Sequence, residues 1–83
     1  MNSKYYNAIF KSYENGYYKF KFDDGENMVF EEVHHKILLK YDLKNDKTLI
    51  NKIFHLVFSE DIEDDEEDFV IFRIEYLEQI NSN

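Results

Sequence analysis

The sequence predicts a small, mainly β domain with one short helix, and three observations predict it. Aromatic and lysine residues alternate strictly from Tyr18 to Phe22. Two Asx-Gly pairs, Asn15-Gly16 and Asp24-Gly25, punctuate the first third of the chain. Between Glu31 and Leu43 the apolar period lengthens from two to about four residues.

The elements follow in order. Tyr5 to Tyr13 is aromatic-rich and reads as a first strand, with Ala8 and Phe10 on one side and Ile9 and Tyr13 on the other. Asn15-Gly16 is a hairpin signal, because both central positions of a type I′ turn need positive φ. Tyr17 to Phe22 is a half-buried second strand: Tyr18, Phe20 and Phe22 face inward, and Tyr17, Lys19 and Lys21 face outward. Asp24-Gly25 is a second hairpin turn, and Met28 to Phe30 begins a third strand with Met28 and Phe30 inward. Val33, Ile37, Leu38 and Tyr41 then share one face of a helix across Glu31 to Leu43, with Lys36 and Lys40 opposite and Glu32 set to pair with Lys36. Asn45-Asp46 is a turn. Ile53 to Phe58 is a fourth strand, with Phe54, Leu56 and Phe58 inward and His55 outward. Phe69 to Leu77 is a fifth, with Val70, Phe72, Ile74 and Tyr76 on one face and Arg73 and Glu75 on the other. The core so predicted is Phe20, Phe22, Phe30, Phe54, Leu56, Phe58, Phe72 and Ile74. Asn81 to Asn83 are expected to fray.

Three strands, a helix and two strands are the element order of an OB-fold, a five-stranded Greek-key barrel with its helix between strands three and four. The layout Tyr17–Phe22, Asp24-Gly25, Met28–Phe30 also resembles the front half of a cold-shock-type barrel, without glycines interleaved among the aromatics after Gly16. An SH3-like barrel is the alternative, and it requires Glu31 to Leu43 to be strand and loop.

At 83 residues the chain is expected to form a single domain, residues 1–83. Ten Lys and Arg stand against 18 Asp and Glu, a net charge of −8. The charge is graded: +3 over residues 1–22, −2 over 23–58 and −9 over 59–83. Eight of the nine residues from Glu60 to Asp68 are acidic. Repulsion at that density predicts a mobile, exposed loop over residues 60–68. No apolar run approaches the length of a membrane span, and the N-terminus lacks a signal-peptide core, so a cytoplasmic location without membrane association is expected.

Several chemistries have no support. The chain has no Cys, which excludes disulfides, thiolate metal sites and a cysteine nucleophile. The carboxylate pairs Asp23-Asp24 and Glu31-Glu32 read as solvated surface rather than as an acid–base pair in a cleft. His34 and His35 diverge by about 100° on a helix and cannot readily share an ion. His55 would need carboxylates brought to it by the fold. An EF-hand counted from Asp61 would place Glu66 and Phe72 where Gly and Glu are required. Gly16 and Gly25 are isolated, so no phosphate-cradling loop exists. No enzyme, cofactor or metal site is expected.

Two binding readings remain. The favoured one is protein binding through Glu60, Asp61, Glu63, Asp64, Asp65, Glu66, Glu67 and Asp68, docking on a basic partner surface. In size and charge the chain resembles small acidic inhibitors of nucleic-acid enzymes, among them anti-CRISPR and anti-restriction proteins of mobile elements. The alternative is single-stranded nucleic acid, RNA included, bound on the outer barrel face by Lys11, Tyr17, Lys19 and Lys21. The net negative charge opposes it.

Overall fold

The computed structural model describes residues 5–62 and 70–80. β1 (Tyr6–Glu14) and β2 (Tyr17–Phe22) form a hairpin closed by Asn15 at φ 53° and Gly16 at φ 85°. Both central residues are left-handed, as a type I′ turn demands. Burial along β2 alternates without a break, with Tyr18, Phe20 and Phe22 inside. β3 (Asn27–Phe30) follows through a different turn. The Gly25 N–H donates to the Phe22 carbonyl at 2.9 Å, the Phe22 N–H donates to the Glu26 carbonyl at 2.7 Å, and Gly25 sits at φ 91°. This is a tight turn finished by a left-handed glycine, the usual three-residue hairpin loop.

After a bend at Glu31 the chain forms β4 (Glu32–Val33), which runs parallel to the last strand. The helix α1 (His35–Lys40) has six residues instead of the expected span 31–43. Its start is fixed by His34, whose Nδ1 accepts the Lys36 N–H at 3.2 Å. Glu32 and Val33 lie opposite Arg73 and Ile74, so their backbone is committed to a sheet ladder that a helix could not supply. Glu32 accordingly pairs with Arg73, at 2.6 Å from Nη2 and 2.7 Å from Nε, and not with Lys36. The helix occupies much of the segment that the SH3-like alternative required to be strand and loop. A 3₁₀ turn, Lys47–Leu49, is capped by Asp46, whose carboxylate accepts from the Thr48 N–H at 3.0 Å.

β5 (Ile53–Ile62) and β6 (Val70–Gln79) form a long antiparallel ribbon. The sheet order is β3-β2-β1-β5-β6-β4, six strands with only the β4–β6 pair parallel. β3 and β4 are its two edges, so the sheet is mixed and open where a closed five-stranded barrel was expected. The strands carry their apolar sides into one core, where Phe10, Phe20, Phe30, Phe54, Leu56 and Ile74 are fully buried. Phe20 joins three strands to β2, with ring centroids 5.2 Å from Phe10, 5.9 Å from Phe30 and 6.2 Å from Phe54. Phe22 is buried beside them, and Phe58 and Phe72 pack against the cluster while partly buried.

Two bulges reset the alternation. In β1, Phe10 faces Phe20 and Ser12 faces Lys19, leaving Lys11 as an extra residue. Tyr13 then lies opposite Tyr18, its ring centroid 4.7 Å away, and joins the core side rather than the side of Ile9. In β6, Tyr76 faces Val57 and Ile74 faces Phe58, leaving Glu75 extra. Ile74 and Leu77 therefore both point inward, and Tyr76, expected inside, is 41% exposed. An inserted residue shifts a period of two by one, which moves every later side chain to the other face.

Candidate binding surfaces

The acidic segment is partly strand. Glu60 and Asp61 belong to β5, where Glu60 lies opposite Phe72 and Asp61 opposite Ile71. This corrects the expected loop over 60–68. The backbone of these two residues has ladder partners, and repulsion between neighbouring carboxylates is weaker than a hydrogen-bonded register. Glu63, Asp64, Asp65, Glu66, Glu67 and Asp68 lie outside the described residues, as do residues 81–83. The ribbon that leads to the acidic run is geometrically distinct. Among the described residues β1 pairs with β5 from Ile53 to Leu56, and Val57 to Ile62 continue past those pairs with β6 as their partner. At the base of this extension stands Arg73, opposite Ser59. Its guanidinium is engaged by Glu32 and lies 3.9 Å from Glu75.

The basic residues do not all converge. Tyr17, Lys19 and Lys21 share the exposed side of β2, and Val29 of β3 lies beside Lys19 on the same face, 45% exposed. Lys11 is held differently. Its ammonium donates to the Asn51 side chain at 2.8 Å, and Asn51 itself adopts φ 71° to reach the bulge. The Asn51 N–H donates to the Phe10 carbonyl at 2.7 Å, locking that crossing. Lys11 thus supports the β1 bulge, and the strip comprises Tyr17, Lys19 and Lys21.

The histidines are dispersed among separate roles. His34 caps α1 and stacks on the His35 ring at 4.7 Å. His55 hydrogen-bonds the Asn7 side chain and stacks on Tyr5 at 5.3 Å. Two tyrosines titrate above their ordinary range. Burial, reinforced by Tyr13 beside it, raises Tyr18. Tyr76 is raised chiefly by the hydrogen bond from its hydroxyl to Glu78.

One surface was not found from sequence. Ile9, Ile53 and Ile80 form a row across β1, β5 and the end of β6, flanked by exposed Tyr5 and Tyr76. Its signal was hidden because Tyr76 reaches that face only through the β6 bulge, and the alignment of the isoleucines depends on strand order.

The chain matches no protein family, and no curated protein or solved structure matches it significantly. Among the described residues no helix is long and apolar enough to cross a membrane.

Proposed function

We propose that this protein is a non-enzymatic binding module that acts by contact with a partner protein carrying a basic surface. The observation that carries this reading is the β5–β6 ribbon. It continues beyond the rest of the sheet, and the connection between its strands holds six consecutive acidic residues, Glu63 to Asp68. Arg73 is the only cation in the C-terminal 25 residues and stands against ten acids, so this end of the chain carries a strong net negative charge. Concentrated charge of one sign steers encounter with the opposite sign and falls off with salt over about 8 Å at physiological ionic strength. Basic surfaces of that kind are those on which other proteins hold phosphates, so an inhibitor acting by charge mimicry, as anti-CRISPR proteins do, is its most direct form. An open OB-type Greek key is the architecture we assign. Its support is the order of strands: β1 lies between β2 and β5, the helix follows the third strand, and the bent continuation of that strand, β4, runs parallel to β6.

The test is a partner captured from native lysate with and without nuclease. Neutralising Glu63, Asp64, Asp65 and Glu66 together is expected to slow association with a nuclease-resistant partner and flatten its salt dependence. Tight oligonucleotide binding that the same variant improves would overturn the reading. The second reading, single-stranded nucleic acid on β2, has one observation in its favour: Lys19 and Lys21 are exposed with Tyr17 between Glu14 and open surface. It predicts that Lys19→Ala and Lys21→Ala each lower the salt slope of oligonucleotide binding by about 0.7.

A further inference from the structure

We propose that the outer face of β1, β5 and β6 is the interface of a two-fold dimer with a second copy of this chain. The face is read row by row from the register. Asn27, Lys21, Ile9 and Ile53 lie side by side across β3, β2, β1 and β5, and Ile80, just past the end of β6, continues the row. The next row holds Asn7, His55 and Glu78, and beyond it stand Val57 and Tyr76, with Tyr5 packed edge-on to Tyr76. Ile53 is 38% exposed, Ile80 36%, Tyr5 64% and Tyr76 41%. Apolar side chains that open on one contiguous face are more than the scattered surface residues any protein shows. α1 buries Ile37 in the core, and no described element covers this face.

The charge pattern selects a second copy as the occupant. Across the face, β2 contributes Lys19 and Lys21 with Asp23 just past its end, the centre is isoleucine and aromatic, and β6 contributes Glu78. A two-fold axis in the plane of the face, running between β1 and β5 and parallel to them, lays β2 of one copy over β6 of the other. Lys21 then lies over Ile80 of the opposite copy with that copy's Glu78 one row away, within reach of its long side chain, while Ile9 meets Ile53 at the axis. A shallow depression lined by Asn7, Ala8, Ile9, Lys21, Asp23 and Ile53 gives the opposing isoleucines a place to seat. An isologous interface needs this self-complementarity, an apolar centre with charges of opposite sign at opposite borders. Sheets packed face to face in this way lie about 10 Å apart with strands within about 30° of one another. The inference makes no use of the acidic run and stands apart from the reading above.

Sedimentation equilibrium on the full chain tests it. The unmodified protein is expected to dimerise, and Ile53→Glu to be monomeric with an unchanged circular dichroism spectrum. Lys21→Glu and Glu78→Lys are each expected to weaken the dimer about tenfold, the size of a lost charged contact. The double variant K21E/E78K restores the pairing with its signs exchanged and is expected to recover most of that loss. A protein that stays monomeric at every concentration overturns the proposal. So does a dimer that survives Ile53→Glu, or one whose single charge variants are not rescued by the double.

Discussion

Phe20 has no exposed surface and packs its ring against those of Phe10, Phe30 and Phe54, which come from β1, β3 and β5. Phe20→Ala removes those contacts and leaves a cavity among rigid rings, at an expected cost of about 3–5 kcal/mol by chemical denaturation. That is a large share of the stability of so small a domain. Phe72→Ala, at a partly buried ring on the edge of the cluster, is expected to cost less. Tyr18 makes a different prediction. Its hydroxyl is held protonated by burial and by Tyr13, so its folded pKa lies above the unfolded value of 10.0. Below pH about 10 both states keep the proton, and stability is unaffected by this group. As pH rises further the unfolded chain gives up the proton first, which favours unfolding until the folded group titrates as well. Tyr18→Phe keeps the ring against Tyr13 and is expected to flatten the alkaline fall of Tm; an unchanged fall would assign it to other groups.

At the scale of elements the hairpin turn is the most local device. Gly16 at φ 85° has open space around a would-be Cβ, so the cost of Gly16→Ala is backbone conformation alone. It is expected to be about 1–2 kcal/mol by thermal melting. The β1–β2 hairpin and the inward side of β2 were legible in the sequence because turn chemistry and strict alternation are both local. The residues from Phe54 to Phe58 were legible for the same reason. The bulges were not. Lys11 and Glu75 look like ordinary outward residues, and only the pairing with β2 and β5 reveals them as insertions. Tyr13 and Tyr76 were therefore assigned to the wrong faces, and the apolar row that Tyr76 borders went unseen. The helix was legible in kind but overlong, because the competing partner for Glu32 and Val33 lies about forty residues away at Arg73 and Ile74. Of the candidate site residues, Lys19 and Lys21 were placed correctly by parity. Lys11 was separated from them by its bond to Asn51, a contact across 40 positions that no local pattern encodes.

The whole molecule is electrically polar along its chain, with +3 on the first 22 residues and −9 on the last 25. In the sheet β1 and β2 of the first segment lie together, and β6 of the last lies three positions from β2, with β1 and β5 between. Attraction between the halves is therefore spread over distances comparable to the screening length of about 8 Å at physiological salt. Repulsion within the run Glu60 to Asp68 acts between sequence neighbours, at separations that salt screens only in part. Repulsion of that kind destabilises a compact state, because the unfolded chain can move its charges apart. The balance predicts that Tm rises as sodium chloride is added through the physiological range. Neutralising Glu63, Asp64, Asp65 and Glu66 is expected to leave Tm unchanged or raise it at low salt, and to remove most of the rise with added salt. A loss of Tm in that variant at low salt would show that these carboxylates make attractive contacts in the folded protein. They would then act as structural groups, and the charge available to an outside partner would be smaller than the sequence count.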